Sequence, residues 1–311
     1  MITFLQGNCL DKIQELDDNS IDCVVSSPPY FGLRDYGVDG QFGLEKTYQD
    51  YIANTVKVFE TFKPKLKDTA TIWWNVGDTY AMSSMRGKNS LFRSIDQSKS
   101  GIRNVKRSIP IGLKAKDLMM IPNRVAIALQ DAGWYIRSEI IWHKPNPMPE
   151  SVKDRPTSAH EKIWLITKSK KYYYDADAIR EPVKEISKKR IEYGLKHKHP
   201  DNIGVAIPPV NTKRMGERFL NPLGKNKRNV WTITTKPCKE AHFATFPKDL
   251  IEPCIKAGCP EGGTVLDPFG GSGTTGIVSK LLKRKAILIE LNKEYISIAK
   301  KRINKEFGLF K

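Results

Sequence analysis

A glycine-rich turn near the end of the chain constrains the fold most. Residues 271–276 read Gly-Ser-Gly-Thr-Thr-Gly, between a strand pattern at Thr264–Leu266 and a helix pattern that starts at Ile277. Glu290 lies 17 residues beyond Gly273, at the end of the next predicted strand. This order of strand, glycine turn, helix and acid brings backbone close to a nucleotide and offers a carboxylate to its ribose. The turn therefore predicts a nucleoside-type ligand, and both a dinucleotide and S-adenosylmethionine fit.

Too little chain follows this turn to complete a sheet. Only 35 residues, 277–311, come after Gly276, so the missing strands must come from the N-terminal half. We therefore expect a mostly parallel α/β sheet that is circularly permuted, with its first nucleotide-binding strand late in the sequence. Apolar, β-branched runs predict further strands at Ile2–Leu5, Ile21–Val25 and Thr69–Val76, and an antiparallel pair at Trp134–Trp142 and Glu161–Thr167.

The second of these strands ends in a double-proline elbow, Ser27-Pro28-Pro29-Tyr30. Proline cannot donate to a sheet ladder and biases the preceding residue away from helix, so the strand stops in a stiff, extended turn. The turn presents a serine hydroxyl, carbonyl oxygens and an aromatic ring. Ligands of open α/β sheets bind at the carboxyl ends of strands, so this elbow suits a flat, hydrogen-bonding ring. A proline turn with a packing tyrosine is the alternative.

The chain is strongly basic, with a formal net charge of +18. Such an excess favours a polyanionic partner, and nucleic acid is the first candidate. A membrane surface is the alternative, but no apolar run long enough to span a bilayer and no signal-peptide pattern appear. We therefore expect a soluble, cytoplasmic protein without a membrane partner.

Cysteine and histidine spacing favours reduced thiols and no metal site. The five cysteines form no C-x-x-C pair, and the five histidines lack the spacing of helical metal ligands.

The positive charge is concentrated in two segments without an apolar period, 81–116 and 175–237. The first has nine Lys and Arg against the single acid Asp96, and the second has fourteen against seven acids. Loops of this length are usually functional or ordered by a partner, although a merely solvated basic loop is the alternative.

Four motifs together resemble the beta-class DNA amino-methyltransferases. They are Gly7-Asn8, Ser27–Tyr30, His242–Pro247 and Asp267–Thr275. The resemblance covers about 1–174 and 238–311, and the order of the second and fourth motifs is itself specific. It implies a Rossmann-like α/β catalytic domain whose N-terminal part, 1–174, holds the base and whose C-terminal part, 238–311, holds the cofactor. Residues 175–237 then occupy the place of the family's target-recognition region.

The resemblance implies methyl transfer from S-adenosylmethionine to an exocyclic amine of a DNA base that is flipped out of the duplex. Tyr30 would stack on that base, and Ser27 with the Pro28 carbonyl would accept hydrogen bonds from the amine. Glu290 would hold the ribose and Asn8 the adenine end of the cofactor. The implied catalytic residues are Ser27, Pro28, Pro29 and Tyr30, and the implied cofactor-binding residues are Asn8, Thr245, Phe246, Asp267, Phe269, Gly271, Ser272, Gly273, Thr274, Thr275 and Glu290.

Family members with serine at position 27 are mostly cytosine-N4 enzymes, and those with an acid there mostly methylate adenine N6. We therefore expect cytosine N4, with adenine N6 as the alternative. A nicotinamide-dependent oxidoreductase, a non-catalytic DNA-binding protein and an RNA or protein methyltransferase are the more distant alternatives.

The expected partner is double-stranded DNA, held by the two basic segments. The resemblance also allows a cognate restriction endonuclease as a partner, and a monomer or a homodimer as the assembly. The candidate DNA-binding residues are Arg86, Arg93, Arg103, Arg107, Arg214, Arg218 and Arg228.

Overall fold

The computed structural model describes residues 1–33, 37–81, 109, 112–183, 185–186, 189, 221, 223–235 and 246–308. Contacts divide the chain into a larger unit, Met1–Tyr174 with Asn229–Lys311, and a smaller unit, Asp175–Arg228. The first division falls between Tyr174 and Asp175. The second falls between Arg228 and Asn229 rather than after residue 237, because a strand at 230–232 pairs within the sheet of the larger unit.

The larger unit is built on an eight-stranded sheet of order β1-β8-β7-β2-β3-β5-β4-β6, counted over the described residues. The strands are β1 Ile2–Gln6, β2 Ile21–Ser26, β3 Leu66–Val76, β4 Tyr135–His143, β5 His160–Thr167, β6 Val230–Thr232, β7 Thr264–Asp267 and β8 Lys285–Glu290.

Five neighbouring strands, from β1 to β3 in the sheet order, are parallel. β5 runs antiparallel to both β3 and β4, and β6 is parallel to β4. The first strand of the chain pairs with the last, with Ile2 opposite Ala286 and Gln6 opposite Glu290. The predicted fold class, a permuted and mostly parallel sheet with an antiparallel strand, is therefore confirmed. The short strand β6 was not predicted, since three residues carry too little pattern.

Six helices flank the sheet in the described ranges. They are α1 Cys9–Gln14, α2 Tyr48–Phe62, α3 Ile121–Asp131, α4 Lys248–Gly258, α5 Thr274–Leu281 and α6 Lys293–Glu306. None of them has both the length and the apolar character that crossing a membrane requires.

Strand β3 shows how the sheet is buried on both faces. On one face, Trp74 packs against Phe59 of α2 with ring centroids 5.0 Å apart. On the other face, the Thr71 hydroxyl donates to the Gly258 carbonyl of α4 over 2.9 Å, and the Trp73 indole donates to Thr71. A strand covered on both faces reads as a continuous apolar run, which is why Ala70–Trp74 is so rich in apolar residues.

The described residues of the smaller unit make several polar contacts with one another. Glu181 and Lys225 form a two-way backbone bridge, and Arg180 donates to the Gly224 carbonyl at 3.1 Å. Arg228 donates to the Glu181 carboxylate at 3.0 Å, so the described candidate DNA-binding arginine has an acidic partner.

The fold predicts a large cost for Phe59→Ala. Phe59 is fully buried among Phe62, Trp74 and Trp134. Truncation leaves a cavity among rigid rings, and we expect the free energy of unfolding to fall by about 3–5 kcal/mol. Urea denaturation measures this, with Lys57→Ala on the exposed side of α2 as the control. Equal effects of the two substitutions would contradict this account of the core.

Candidate active site

A cavity of about 590 Å³ lies at the carboxyl ends of the parallel strands. Both the proline elbow after β2 and the glycine turn after β7 line it. The chain leaves β7 towards β8 and leaves β2 towards β3, in opposite directions across the sheet. Such a reversal opens a crevice between the two strands, and that crevice is where α/β sheets bind ligands.

The buried Asp267 at the end of β7 joins the two sides of the crevice. Its carboxylate accepts hydrogen bonds of 2.6 Å from the Ser26 hydroxyl at the end of β2 and of 2.6 Å from the Thr275 hydroxyl in α5. The backbone N–H of Phe269 donates to it at 3.1 Å. Burial raises the pKa of Asp267 from 3.8 to about 6, although all three donors favour the charged form.

The glycine turn is held against Glu290. The backbone N–H groups of Gly271 and Asn292 each donate to a different Glu290 oxygen at 2.8 Å, which fixes the carboxylate at the cavity wall. Burial raises the pKa of Glu290. Gly273 adopts a left-handed φ of 79°, and a Cβ there would lie 2.9 Å from the Cβ of Ala299. Only glycine satisfies both the turn and this close approach of α6.

The elbow is held by hydrogen bonds to its backbone carbonyl groups. The Tyr51 hydroxyl of α2 donates to the Pro29 carbonyl at 3.2 Å, and the Leu33 N–H donates to the Tyr30 carbonyl at 3.2 Å. The Phe42 ring lies 5.3 Å from the Phe269 ring, so an aromatic contact closes the wall between elbow and turn.

The Tyr30 hydroxyl is the centre of a polar cluster. It donates to the Glu161 carboxylate at 2.6 Å and accepts from the Ser27 hydroxyl at 3.3 Å. The Asn75 amide donates to the same Glu161 oxygen at 3.2 Å, and the Lys144 ammonium group forms an ion pair with the other. Burial, then the nearby Glu161 charge, raises the pKa of Tyr30 well above its usual value, so its phenol stays protonated.

Sequence reasoning missed three members of this cluster, Asn75, Lys144 and Glu161. They come from β3 and from the ends of the β4–β5 hairpin, and they meet Tyr30 only through strand pairing. A polar asparagine inside the apolar run Thr71–Val76 was the one local signal.

Most of the expected site residues meet at this one cavity. Gly273 and Thr275 do not line it but support the turn beneath it. Thr245, Arg86, Arg93, Arg103, Arg107, Arg214 and Arg218 lie outside the described residues. The residues of the prediction that line the cavity are Asn8, Ser27, Pro28, Pro29, Tyr30, Phe246, Asp267, Phe269, Gly271, Ser272, Thr274 and Glu290.

Comparison with known proteins identifies the family. The model of the N6/N4 DNA methylase family matches residues 21–301. The chain is 43% identical over 297 residues to the type II methyltransferase M.SmaI of Serratia marcescens, covering 96% of this chain and 89% of that one. It is also 43% identical over 305 residues to M.Cfr9I of Citrobacter freundii, covering 98% and 88%. The chain therefore belongs to the N6/N4 DNA methylase family.

Two solved structures share the fold. The PvuII DNA methyltransferase, named as cytosine-N4-specific, aligns with a TM-score of 0.62 at 18% identity, over 99% of this chain and 91% of that one. A putative DNA modification methylase of Thermus thermophilus, TTHA0409, solved with S-adenosyl-L-methionine, aligns with a TM-score of 0.60 at 20% identity, over 100% and 96%.

S-adenosylmethionine is the cofactor of this DNA methylase. The cavity fits such a group: its volume of about 590 Å³ lies within the usual range for ligand pockets. Its wall combines a glycine turn that lets backbone approach, a fixed carboxylate at Glu290, and the rings of Phe42 and Phe269.

The buried Asp267 predicts a specific pH dependence of stability. Since the folded state holds the Asp267 proton more tightly than the unfolded chain does, its contribution to stability is largest below about pH 4 and falls as the pH rises towards 6. Asp267→Asn removes this titration. Between pH 4 and 7, the free energy of unfolding of the wild type should therefore fall by about 2 kcal/mol relative to that of the variant.

Urea denaturation of both proteins across this pH range measures the shift. Asp131→Asn, at an exposed position at the end of α3, is the control and should follow the wild type. A pH-independent difference between wild type and Asp267→Asn would contradict the assigned burial of this carboxyl group.

Proposed function

We propose that this DNA methylase transfers a methyl group to the exocyclic N4 amine of cytosine, within a specific sequence of double-stranded DNA. The observation that carries the proposal is that the Ser27–Tyr30 elbow and the glycine turn with Glu290 line one cavity. One side of the cavity suits a flipped base and the other a nucleoside cofactor. Methylation of adenine N6 is the alternative within the same class.

Two observations favour cytosine. The residue at the start of the elbow is the neutral Ser27, which the family mostly uses for cytosine, and the PvuII enzyme of the same fold is named as cytosine-N4-specific.

The elbow residues hold the base and its amine. Tyr30 stacks on the base, while the Ser27 hydroxyl and the Pro28 carbonyl accept hydrogen bonds from the amine. Both acceptors direct the nitrogen lone pair and stabilise the positive charge that develops on nitrogen. Pro29 keeps the elbow rigid, since its carbonyl is held by Tyr51. When bound, S-adenosylmethionine supplies the activated methyl group.

The turn residues hold the cofactor. Glu290 accepts hydrogen bonds from the ribose hydroxyls, with its orientation set by the Gly271 and Asn292 N–H groups. Asn8, at the start of α1, faces the adenine end. The remaining expected residues shape the methionine side of the cofactor, with Gly273 and Thr275 excepted, since these two support the turn from beneath. The residues on the methionine side are Thr245, Phe246, Asp267, Phe269, Gly271, Ser272 and Thr274.

The basic segments bind the DNA backbone and read the sequence. We assign target recognition to 175–237, and phosphate contacts to Arg86, Arg93, Arg103, Arg107, Arg214 and Arg218. Arg228 joins them only if DNA displaces its contact with Glu181. Because several relatives are named type II methyltransferases, a cognate restriction endonuclease is the expected companion activity.

Product analysis tests the reaction and the base together. The protein is incubated with labelled S-adenosylmethionine and genomic DNA, which is then digested to nucleosides and analysed by mass spectrometry. We expect N4-methylcytosine, and a Ser27→Ala variant should form it about 10- to 100-fold more slowly because one acceptor of the amine is lost. Labelled N6-methyladenine would support the alternative base, and no labelled nucleoside would refute the proposal.

The close approach of Gly77 to Tyr30 gives a second test. A Cβ at position 77 would lie 2.5 Å from Cε2 of the Tyr30 ring, so Gly77→Ala must displace that ring. A ring shifted by about 1 Å misplaces the stacked base, and we expect methylation to slow about 10- to 100-fold. Affinity for S-adenosylmethionine, measured by calorimetry, serves as the internal control and should not change. An unchanged methylation rate would contradict the role of Tyr30.

A further inference from the structure

We propose that Glu161 acts through Tyr30 on Ser27, as a positioning residue that orients the serine hydroxyl as an acceptor and takes up the proton released by the methylated amine. The inference rests on the proposed function of the elbow and adds a residue from outside its motifs. It is carried by a chain of hydrogen bonds from Ser27 to Glu161 along one wall of the cavity.

The hydrogen-bond distances indicate which group donates to which along this chain. The Tyr30 hydroxyl has one proton, and its shortest contact is with the Glu161 carboxylate at 2.6 Å, against 3.3 Å to the side-chain amide oxygen (Oδ1) of Asn75. A carboxylate is also the stronger acceptor, so the proton points to Glu161. The phenol oxygen then accepts from the Ser27 hydroxyl at 3.3 Å. With its proton committed to Tyr30, Ser27 can offer only lone pairs to the amine.

The negative charge of Glu161, at the far end of the hydrogen-bond chain, makes the Ser27 oxygen a stronger acceptor. Consecutive hydrogen bonds polarise one another, and the effect is larger where water is excluded. The side chains of Glu161 and Lys144 are only 16% and 19% exposed. Glu161 therefore places a negative charge behind the neutral Ser27 without itself touching the base.

Three separate segments hold Glu161 in place. Lys144, just after β4, pairs with one oxygen, and Asn75 of β3 and Tyr30 of the elbow donate to the other. Lys144 itself lies 4.4 Å from the centre of the Trp142 ring. Ionised carboxylates away from bulk water need such partners, and here the partners also aim the carboxylate at Tyr30.

The same chain of hydrogen bonds gives the proton that the reaction releases a path from the amine to Glu161. After the amine nitrogen forms its bond to the methyl group, it carries one proton more than the neutral product. That proton passes to the Ser27 oxygen as the Ser27 proton moves to the Tyr30 oxygen and the Tyr30 proton moves to Glu161. The result is a neutral methylamine, unchanged serine and tyrosine, and a protonated Glu161 that later exchanges with water.

A double-mutant cycle tests this role. Glu161→Gln removes the charge and keeps the shape, and Tyr30→Phe keeps the ring and removes the hydroxyl. We expect each to slow single-turnover methylation about 10- to 100-fold, with unchanged affinity for S-adenosylmethionine and DNA. Because Glu161 acts only through the Tyr30 hydroxyl, the double variant should be no slower than Tyr30→Phe alone.

Glu139→Gln is the matched control. Glu139 lies on the same hairpin and pairs with Lys162 at 2.5 Å but does not line the cavity, so its loss should leave the rate unchanged. A wild-type rate in Glu161→Gln, or multiplicative losses in the double variant, would overturn the proposal. If Glu161→Gln does not fold, a wild-type rate in Tyr30→Phe overturns it equally. A wild-type protein that methylates no DNA would instead refute the proposed function.

Discussion

The site depends on one buried carboxylate that joins two strands from opposite ends of the chain. Asp267 accepts from Ser26 and Thr275 at 2.6 Å each, and thereby links the elbow after β2, the turn after β7 and the start of α5. β2 and β7 are adjacent in the sheet, yet their site residues are 241 positions apart in sequence. Together with the pairing of β2 and β7, this contact fixes the distance between the elbow and the glycine turn.

The antiparallel hairpin explains how the polar cluster reaches the same edge of the sheet. β5 runs against β3, so its first residues lie where the parallel strand β3 ends, with Lys162 opposite Val76. β4 runs against β5, so its last residues reach that edge too, with Trp142 opposite Glu161. A parallel β5 would have placed Glu161 at the far end of the sheet. The reversal of one strand thus brings a carboxylate and an ammonium group to the elbow.

The sequence alone could predict the parts of the site that are local. The glycine turn, Glu290 and the double-proline elbow each act within a few residues of a strand end, and the structure brings their side chains to one cavity. It could not predict Lys144 or Glu161, because their role depends on the register of β4 against β5 and of β5 against β3. Sequence reasoning also assigned residues 230–232, which form β6, to the inserted region 175–237. A three-residue edge strand is defined by the strand it pairs with rather than by its own sequence pattern.

Three of the four carboxyl groups that line the cavity, those of Asp267, Glu290 and Glu161, have different partners, which give them different chemistry. Asp267 is held by two hydroxyl groups and one backbone N–H, and burial raises its pKa to about 6. Glu290 receives backbone N–H groups at both oxygens, which suits a fixed acceptor for ribose. Glu161 has an ammonium partner in addition to its neutral donors. Glu161 is thus distinguished by its contacts, an ammonium group on one oxygen and the Tyr30 hydroxyl on the other, and these contacts place it at the end of the proposed hydrogen-bond chain from Ser27.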